Sequence, residues 1–292
     1  ATWSNYTSVR GPIGSLVKGA VPGAVLPLAT VSGSRHGPRP FAMHPAMPNM
    51  QVLFNTKRRL AVVPNVGTLL APTTKQQYQA ASVPLPPMLF SHNDQFNMWQ
   101  AGGPEGATLG WGGLFGDQVQ SFNGQGTAFT CISPSGNAVW LAGQEVLQYQ
   151  VLPGSGDAVP IEGRTNLFGS TQAGKVFDDI LKLQDGDGLF ESEYKKVVQR
   201  SINAEQTIAS AFNGVTLLPD NQVRGDFVGL QLRAVARLIK AANTGGLPGV
   251  KRQVFFVHAG GFDTHNNQFA ASPGADSNTH EKLLGRIDGA LQ

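Results

Sequence analysis

Charge is scarce in this 292-residue chain: Asp, Glu, Lys and Arg together make up 14% of it, well below the usual quarter. The 22 basic and 19 acidic side chains leave a formal net charge of only +3. The single basic cluster, Lys57-Arg58-Arg59, is short and has no interleaved aromatics. This excludes the basic, aromatic-studded surface of a nucleic-acid binder, and the cluster reads instead as a solvated helix end. One cysteine, Cys131, excludes an intramolecular disulfide but leaves the redox compartment open. No apolar run approaches the ~20 residues of a membrane-spanning helix. Ala1 to Arg10 is polar and lacks the apolar core of a signal peptide. The chain is therefore expected either to be cytoplasmic or to have lost a leader. Internal repeats are missing too.

What the chain does have is glycine (36) and proline (19), with 41% hydrophobic residues. That composition predicts a globular, loop-rich fold, and the length suits one large domain or two small ones. We expect a single α/β domain over 1–292, with 1–40 as an extended covering segment. Helices are predicted over Pro45–Leu60, Gln76–Ala81, Glu191–Phe212 and Asp226–Ala242, from apolar spacing, an opening proline or acid, and closing glycines. Apolar runs at Leu60–Val63, Met88–Phe90 and Val254–Val257 predict short buried strands. Ala128–Ile132 and Ala138–Leu141 read as a small β-hairpin around Ser135-Gly136-Asn137, with a third strand over Glu145–Val151. Gly102–Gly113 reads as a glycine-rich loop holding Trp111. His280–Gln292 begins a helix with no closing glycine or proline, so a truncated C-terminus is expected.

The segment that says most about chemistry runs from Val254 to His265. An apolar strand enters a glycine turn, Gly260-Gly261, and delivers His258, Asp263 and His265. Loops at strand ends carry the chemistry of α/β proteins, and imidazole beside carboxylate is a metal-friendly pair. On a turn backbone, Asp263 and His265 can point the same way and share a cation. An ordinary Asp turn with a surface histidine fits the residues equally well.

The second constellation is Ser91-His92-Asn93-Asp94, predicted between a strand and a helix. A serine at a helix N-terminus lies among unpaired N–H groups, an environment that suits an attacking alkoxide or a bound anion. It is also where an ordinary N-cap serine sits. The surrounding residues are not the G-x-S-x-G elbow of the α/β-hydrolases. Three other phrases are better read structurally. Cys131-Ile132-Ser133-Pro134-Ser135 is similar to a sulfatase cysteine motif but has one residue too many, and Gly136 stands where arginine belongs. Asp185-Gly186-Asp187-Gly188 starts like a calcium loop but places Leu189 at the next ligand position. His44, alone before Pro45, reads as structural.

Five phrases occur in order: Phe41-Ala42-Met43-His44-Pro45-Ala46-Met47, Leu60-Ala61-Val62-Val63-Pro64-Asn65-Val66-Gly67, Leu89-Phe90-Ser91-His92-Asn93-Asp94-Gln95, Gly110-Trp111-Gly112-Gly113 and Gly260-Gly261-Phe262-Asp263-Thr264-His265. Together they resemble the bacterial "domain of unknown function 1501" family, which is grouped with the alkaline phosphatase and sulfatase superfamily and usually exported by the twin-arginine route. The resemblance implies an alkaline-phosphatase-like, mostly parallel sheet flanked by helices, and a periplasmic or secreted location. It implies Ser91 as nucleophile or anion-site residue with His92 and Asp94 beside it. It further implies Asp263 and His265 as ligands of a divalent metal (zinc, calcium or magnesium), and the strand-end position of His258 makes it a third candidate ligand. The expected activity is hydrolysis of small anionic phosphate or sulfate esters. The chain departs from the family pattern in lacking a Gly-Gly-Asn-Asp strand end, in having Leu114 where arginine is expected, and in ending before the Ser-Asp-Phe-Gly-Arg and Thr-Asp-His-Gly segments. An incomplete, inactive or weakly active form of the fold is therefore expected. The alternatives are a non-catalytic exported binding protein on the same scaffold, and a metal-free serine esterase pairing Ser91 with His258 or His265.

Overall fold

A computed structural model describes residues 8–9, 25–30, 39–64, 66–103, 106–182, 188–216, 227–263 and 279–292. Among them lie strands β1 (Leu26–Leu28) and β2 (Phe41–Met43), helices α1 (Pro48–Asn55), α2 (Lys75–Gln79), α3 (His92–Ala101) and α4 (Trp111–Val119), strands β3 (Cys131–Ser133) and β4 (Gln148–Gln150), helices α5 (Thr171–Lys182), α6 (Leu189–Ala211) and α7 (Phe227–Asn243), strand β5 (Val254–Phe255) and helix α8 (His280–Ala290). Two stretches of 3-10 turns, Gln120–Phe129 and Val139–Leu141, flank β3. The protein is α/β, with a three-stranded parallel sheet flanked by helices. Its contacts gather into two compact units, Ala1–Val66 with Leu218–Leu232 and His258–Gln292, and Gly67–Leu217 with Arg233–Val257.

In the first unit β1 and β2 pair antiparallel, Leu26 opposite Met43 and Leu28 opposite Phe41. β1 lies within the stretch 1–40 read as an extended covering segment, and β2 lies just beyond it; most of 1–40 lies outside the described residues. Proline opens α1, where its missing N–H costs nothing. The next two amides of α1 are capped from afar: the buried Asp288 of α8 accepts from Asn49 N at 3.2 Å and Met50 N at 2.7 Å. Asn55 holds the other end against β1, accepting from Ala29 N at 2.8 Å and donating to Pro27 O at 3.0 Å.

In the second unit the sheet order is β4-β3-β5, all parallel, with Cys131 level with both Gln148 and Val254. Successive side chains of a strand face opposite ways, so β3 divides two cores. Ile132 belongs to a core with Ala204, Ile208 and Ala211 of α6 and Leu238 and Ala241 of α7. Cys131 belongs to the other, with Leu141, Val146, Val254 and Phe256. The buried stripe Gln231, Ala234, Leu238 and Ala241 has helical spacing and explains why α7 forms where periodicity predicts it. Asn123, fully buried, fixes the approach to β5 by accepting from Lys251 N and Arg252 N at 2.8 Å each and donating to Arg252 O at 2.7 Å.

Several expectations are corrected. The hairpin over Ala138–Leu141 does not form: these residues make a 3-10 turn, and β3 pairs in parallel with β4. Their backbone is already engaged, since Leu141 N donates to Ala138 O at 3.0 Å and Trp140 N donates to the Gln100 side chain at 3.2 Å. Leu60–Val63 is irregular rather than a strand, with Val63 76% exposed. Met88–Phe90 is a turn with Met88 and Phe90 at positive φ, a backbone state closed to an extended strand. Trp111 opens a helix instead of sitting in a loop.

Candidate functional site

Ser91 is the N-cap of α3. Its extended backbone follows the turn closed by Ser91 N donating to Met88 O at 2.9 Å, and its carbonyl accepts the first helical bond, from Gln95 N at 3.0 Å. The hydroxyl accepts weakly from Asp94 N at 3.4 Å and donates its own proton to Asp94 Oδ2 at 2.6 Å. The short second bond is the charge-assisted kind that a carboxylate makes. Asp94 is buried, 7% exposed, whereas His92 faces outward. Gln95 braces the turn by donating to Met88 O and accepting from the Thr68 hydroxyl. Of the residues predicted here, the structure brings Ser91 and Asp94 into direct contact. The proton of Ser91 is aimed at a carboxylate rather than at an imidazole.

The glycine-turn candidates belong to the other unit. Gln231 straps the backbone of His258: its carbonyl oxygen accepts from His258 N at 3.0 Å, and its amide donates to His258 O at 3.0 Å. Buried Gln231 is the polar interruption of the apolar stripe of α7, a signal present in the sequence but legible only once its partner is known. Gly261 holds φ +87, where a side chain would be strained. The next carbonyl, Phe262 O, is 2.8 Å from His280 Nε2 at the start of α8, and the two rings meet edge on at 5.7 Å. His280 is a neighbour that linear spacing did not anticipate. His258 and Asp263 are both exposed; Thr264 and His265 lie outside the described residues.

Among the described residues no three His, Cys, Asp or Glu side chains gather as a metal-binding group. His258 and Asp263 by themselves fall short of the three protein ligands of a catalytic zinc, so the described residues do not complete a cation's donor set. His44 Nδ1 accepts from Ala46 N at 3.1 Å, and burial holds its imidazole below the ordinary value against the opposing pull of Glu281. This accords with its structural reading. Cys131 is fully buried, and burial, aided by the Asp117 charge, pushes its thiol up to about 11, which removes its thiolate reactivity. Asp185 and Asp187 lie outside the described residues.

Gly110-Trp111-Gly112-Gly113 has a steric role. A Cβ on Gly110 would lie 2.1 Å from Val139 O, one on Gly112 would lie 2.5 Å from the Trp140 ring, and one on Gly113 would lie 2.1 Å from the Ala142 carbonyl carbon. The glycines let α4 touch the backbone of 139–143. Trp111 Nε1 donates to Trp99 O at 3.1 Å, and its ring meets Trp140 edge on at 4.8 Å.

Compared with protein-family models, curated proteins and solved structures, the chain matches none.

Proposed function

We propose that this chain carries the scaffold and nucleophile of an alkaline-phosphatase-like hydrolase of phosphate or sulfate esters, with Ser91 as the nucleophile. The observation that carries this reading is the 2.6 Å bond from the Ser91 hydroxyl to the buried Asp94 carboxylate at the first turn of α3. A hydroxyl becomes an effective nucleophile when a positioned base takes its proton. Asp94 is that base. Attack forms the bond from Ser91 Oγ to phosphorus or sulfur and breaks the bond to the ester oxygen; the Ser91 proton passes to Asp94 and on to the departing alcohol, and water then cleaves the seryl ester, releasing phosphate or sulfate and restoring the Ser91 hydroxyl. The α3 N-terminus favours the negative charge of the transferring group. Asp263 and His265 are the residues that the resemblance assigns to a divalent ion, His258 joins them as a candidate from its place at the strand end, and the same resemblance argues for export.

A second reading is a non-catalytic exported binding protein on the same scaffold. It is favoured by the outward face of α4, where Trp111 is 56%, Leu114 41% and Phe115 58% exposed.

The variant Ser91→Asn separates nucleophile from cap, because asparagine caps helices as well as serine does. Turnover of p-nitrophenyl phosphate and p-nitrophenyl sulfate is measured with added zinc, magnesium or calcium, and bound metal is measured by elemental analysis. The hydrolase reading expects weak wild-type turnover, in keeping with the incomplete ligand set, that falls to background in Ser91→Asn, with the melting temperature unchanged. Absence of wild-type turnover with every metal, or equal turnover in the variant, overturns it.

A further inference from the structure

A cleft of about 320 Å³ opens where the chain enters β4, between that strand and α6. Its volume falls within the range of small-molecule sites. Val146, Leu147, Val197 and Ala204 line its apolar part. Its polar lining includes Arg200, Ser201, Tyr149 and Thr127, whose side chains make no ion pair or hydrogen bond among the described residues. All four offer N–H or O–H donors. Tyr149 is a donor across the physiological range, and burial, reinforced by the Glu205 charge, pushes its hydroxyl further up to about 12. At the rim Glu145 accepts from Gln120 Nε2 at 2.7 Å and keeps one negative charge beside the opening.

We propose that this cleft binds a small aliphatic carboxylate, its single charge taken by Arg200 and the neighbouring hydroxyls and its chain laid along Val146, Val197 and Ala204. Guanidinium and carboxylate match in geometry and charge. The Glu145 carboxylate disfavours a dianion such as a phosphate monoester. This site is independent of Ser91 and stands or falls without the hydrolase reading.

The test is titration calorimetry of the full chain with octanoate, octanol and octyl phosphate, and with N-acetyl-Leu-Leu as a peptide-borne carboxylate. The expected result is octanoate or peptide-acid binding with Kd on the order of 0.1–1 mM. Octanol and octyl phosphate should bind about tenfold or more weakly. The tighter of the two carboxylates identifies whether a free acid or a peptide terminus is the source. Arg200→Ala should weaken carboxylate binding about tenfold or more, and Val197→Trp, which fills the cleft from a half-exposed position, should abolish it. Both positions are solvent-facing, and melting curves confirm that the variants fold. Failure of both carboxylates to bind, equal affinity for octyl phosphate, or binding unchanged in both variants overturns the proposal.

Discussion

On one side of β3, Ile132 is covered by long helices that present side chains: Ile208 from α6 and Leu238 from α7, each at most 1% exposed. On the other side, around Cys131, the covering helix α4 presents glycines, and the 139–143 backbone packs against them. The first face is held by apolar volume, the second by close backbone approach. The two should respond oppositely to mutation, the first failing when atoms are removed and the second when they are added.

The largest effect is expected from Gly113→Ala. The added methyl would overlap the Ala142 backbone at 2.1 Å, and no rotamer change relieves a clash with main chain. A loss of about 4 kcal/mol or more, or failure to fold, is expected in denaturant titration. Gly67→Ala is the control, with nothing within 4 Å of the new methyl; it should change stability by less than about 0.5 kcal/mol. A tolerated Gly113→Ala would mean that α4 does not approach so closely. Next comes Leu238→Ala on the opposite face, where the side chain is fully buried. It should cost about 3 kcal/mol through lost transfer energy and a residual cavity, and a loss under about 1 kcal/mol would contradict the packing described.

The smallest effect concerns Asp117 of α4, which holds the strap leading into β4. Its carboxylate accepts from Gln144 N at 2.8 Å, Glu145 N at 3.1 Å and Val146 N at 2.8 Å. Burial pushes its pKa up, but the three backbone donors together outweigh it and hold the group below its ordinary 3.8. Asp117→Ala should cost about 2 kcal/mol at neutral pH. Because the folded-state pKa is depressed, this stabilisation is complete above the ordinary value and fades as the pH falls through the folded one. The gap between wild type and variant should therefore narrow on acidification below about pH 4. A gap constant from pH 7 to pH 2 would show that the hydrogen bonds do not depend on the charge.

The same contrast explains what could be read in advance. The helices α6 and α7 are legible because they bury one stripe each at helical spacing, although the apolar Tyr194 and Val197 of α6 turn outward at 64% and 49% exposure. The cap at Ser91 was legible from its type and its place before a helix. Its bond to Asp94 depends on a rotamer that spacing does not give. The strands predicted at Leu60–Val63 and Met88–Phe90 failed because an apolar run states only that side chains are hydrophobic, and a strand also needs a partner edge. The Gly110–Gly113 phrase looked like a loop because glycine is a poor helix former; contact with residues 139–143 overrode that propensity.

The sequence by itself determined the α/β class, the two long helices, the buried strand at Val254 and the absence of a disulfide, since each follows from local periodicity or from a count of residues. Tertiary structure alone decided that β4 and not a hairpin partner lies beside β3, that Asp288 caps a helix more than 200 residues away, and that glycines form a packing face. Those outcomes depend on which distant backbone groups come within hydrogen-bonding or van der Waals reach, and that distance is a property of the folded chain and not of any stretch of it.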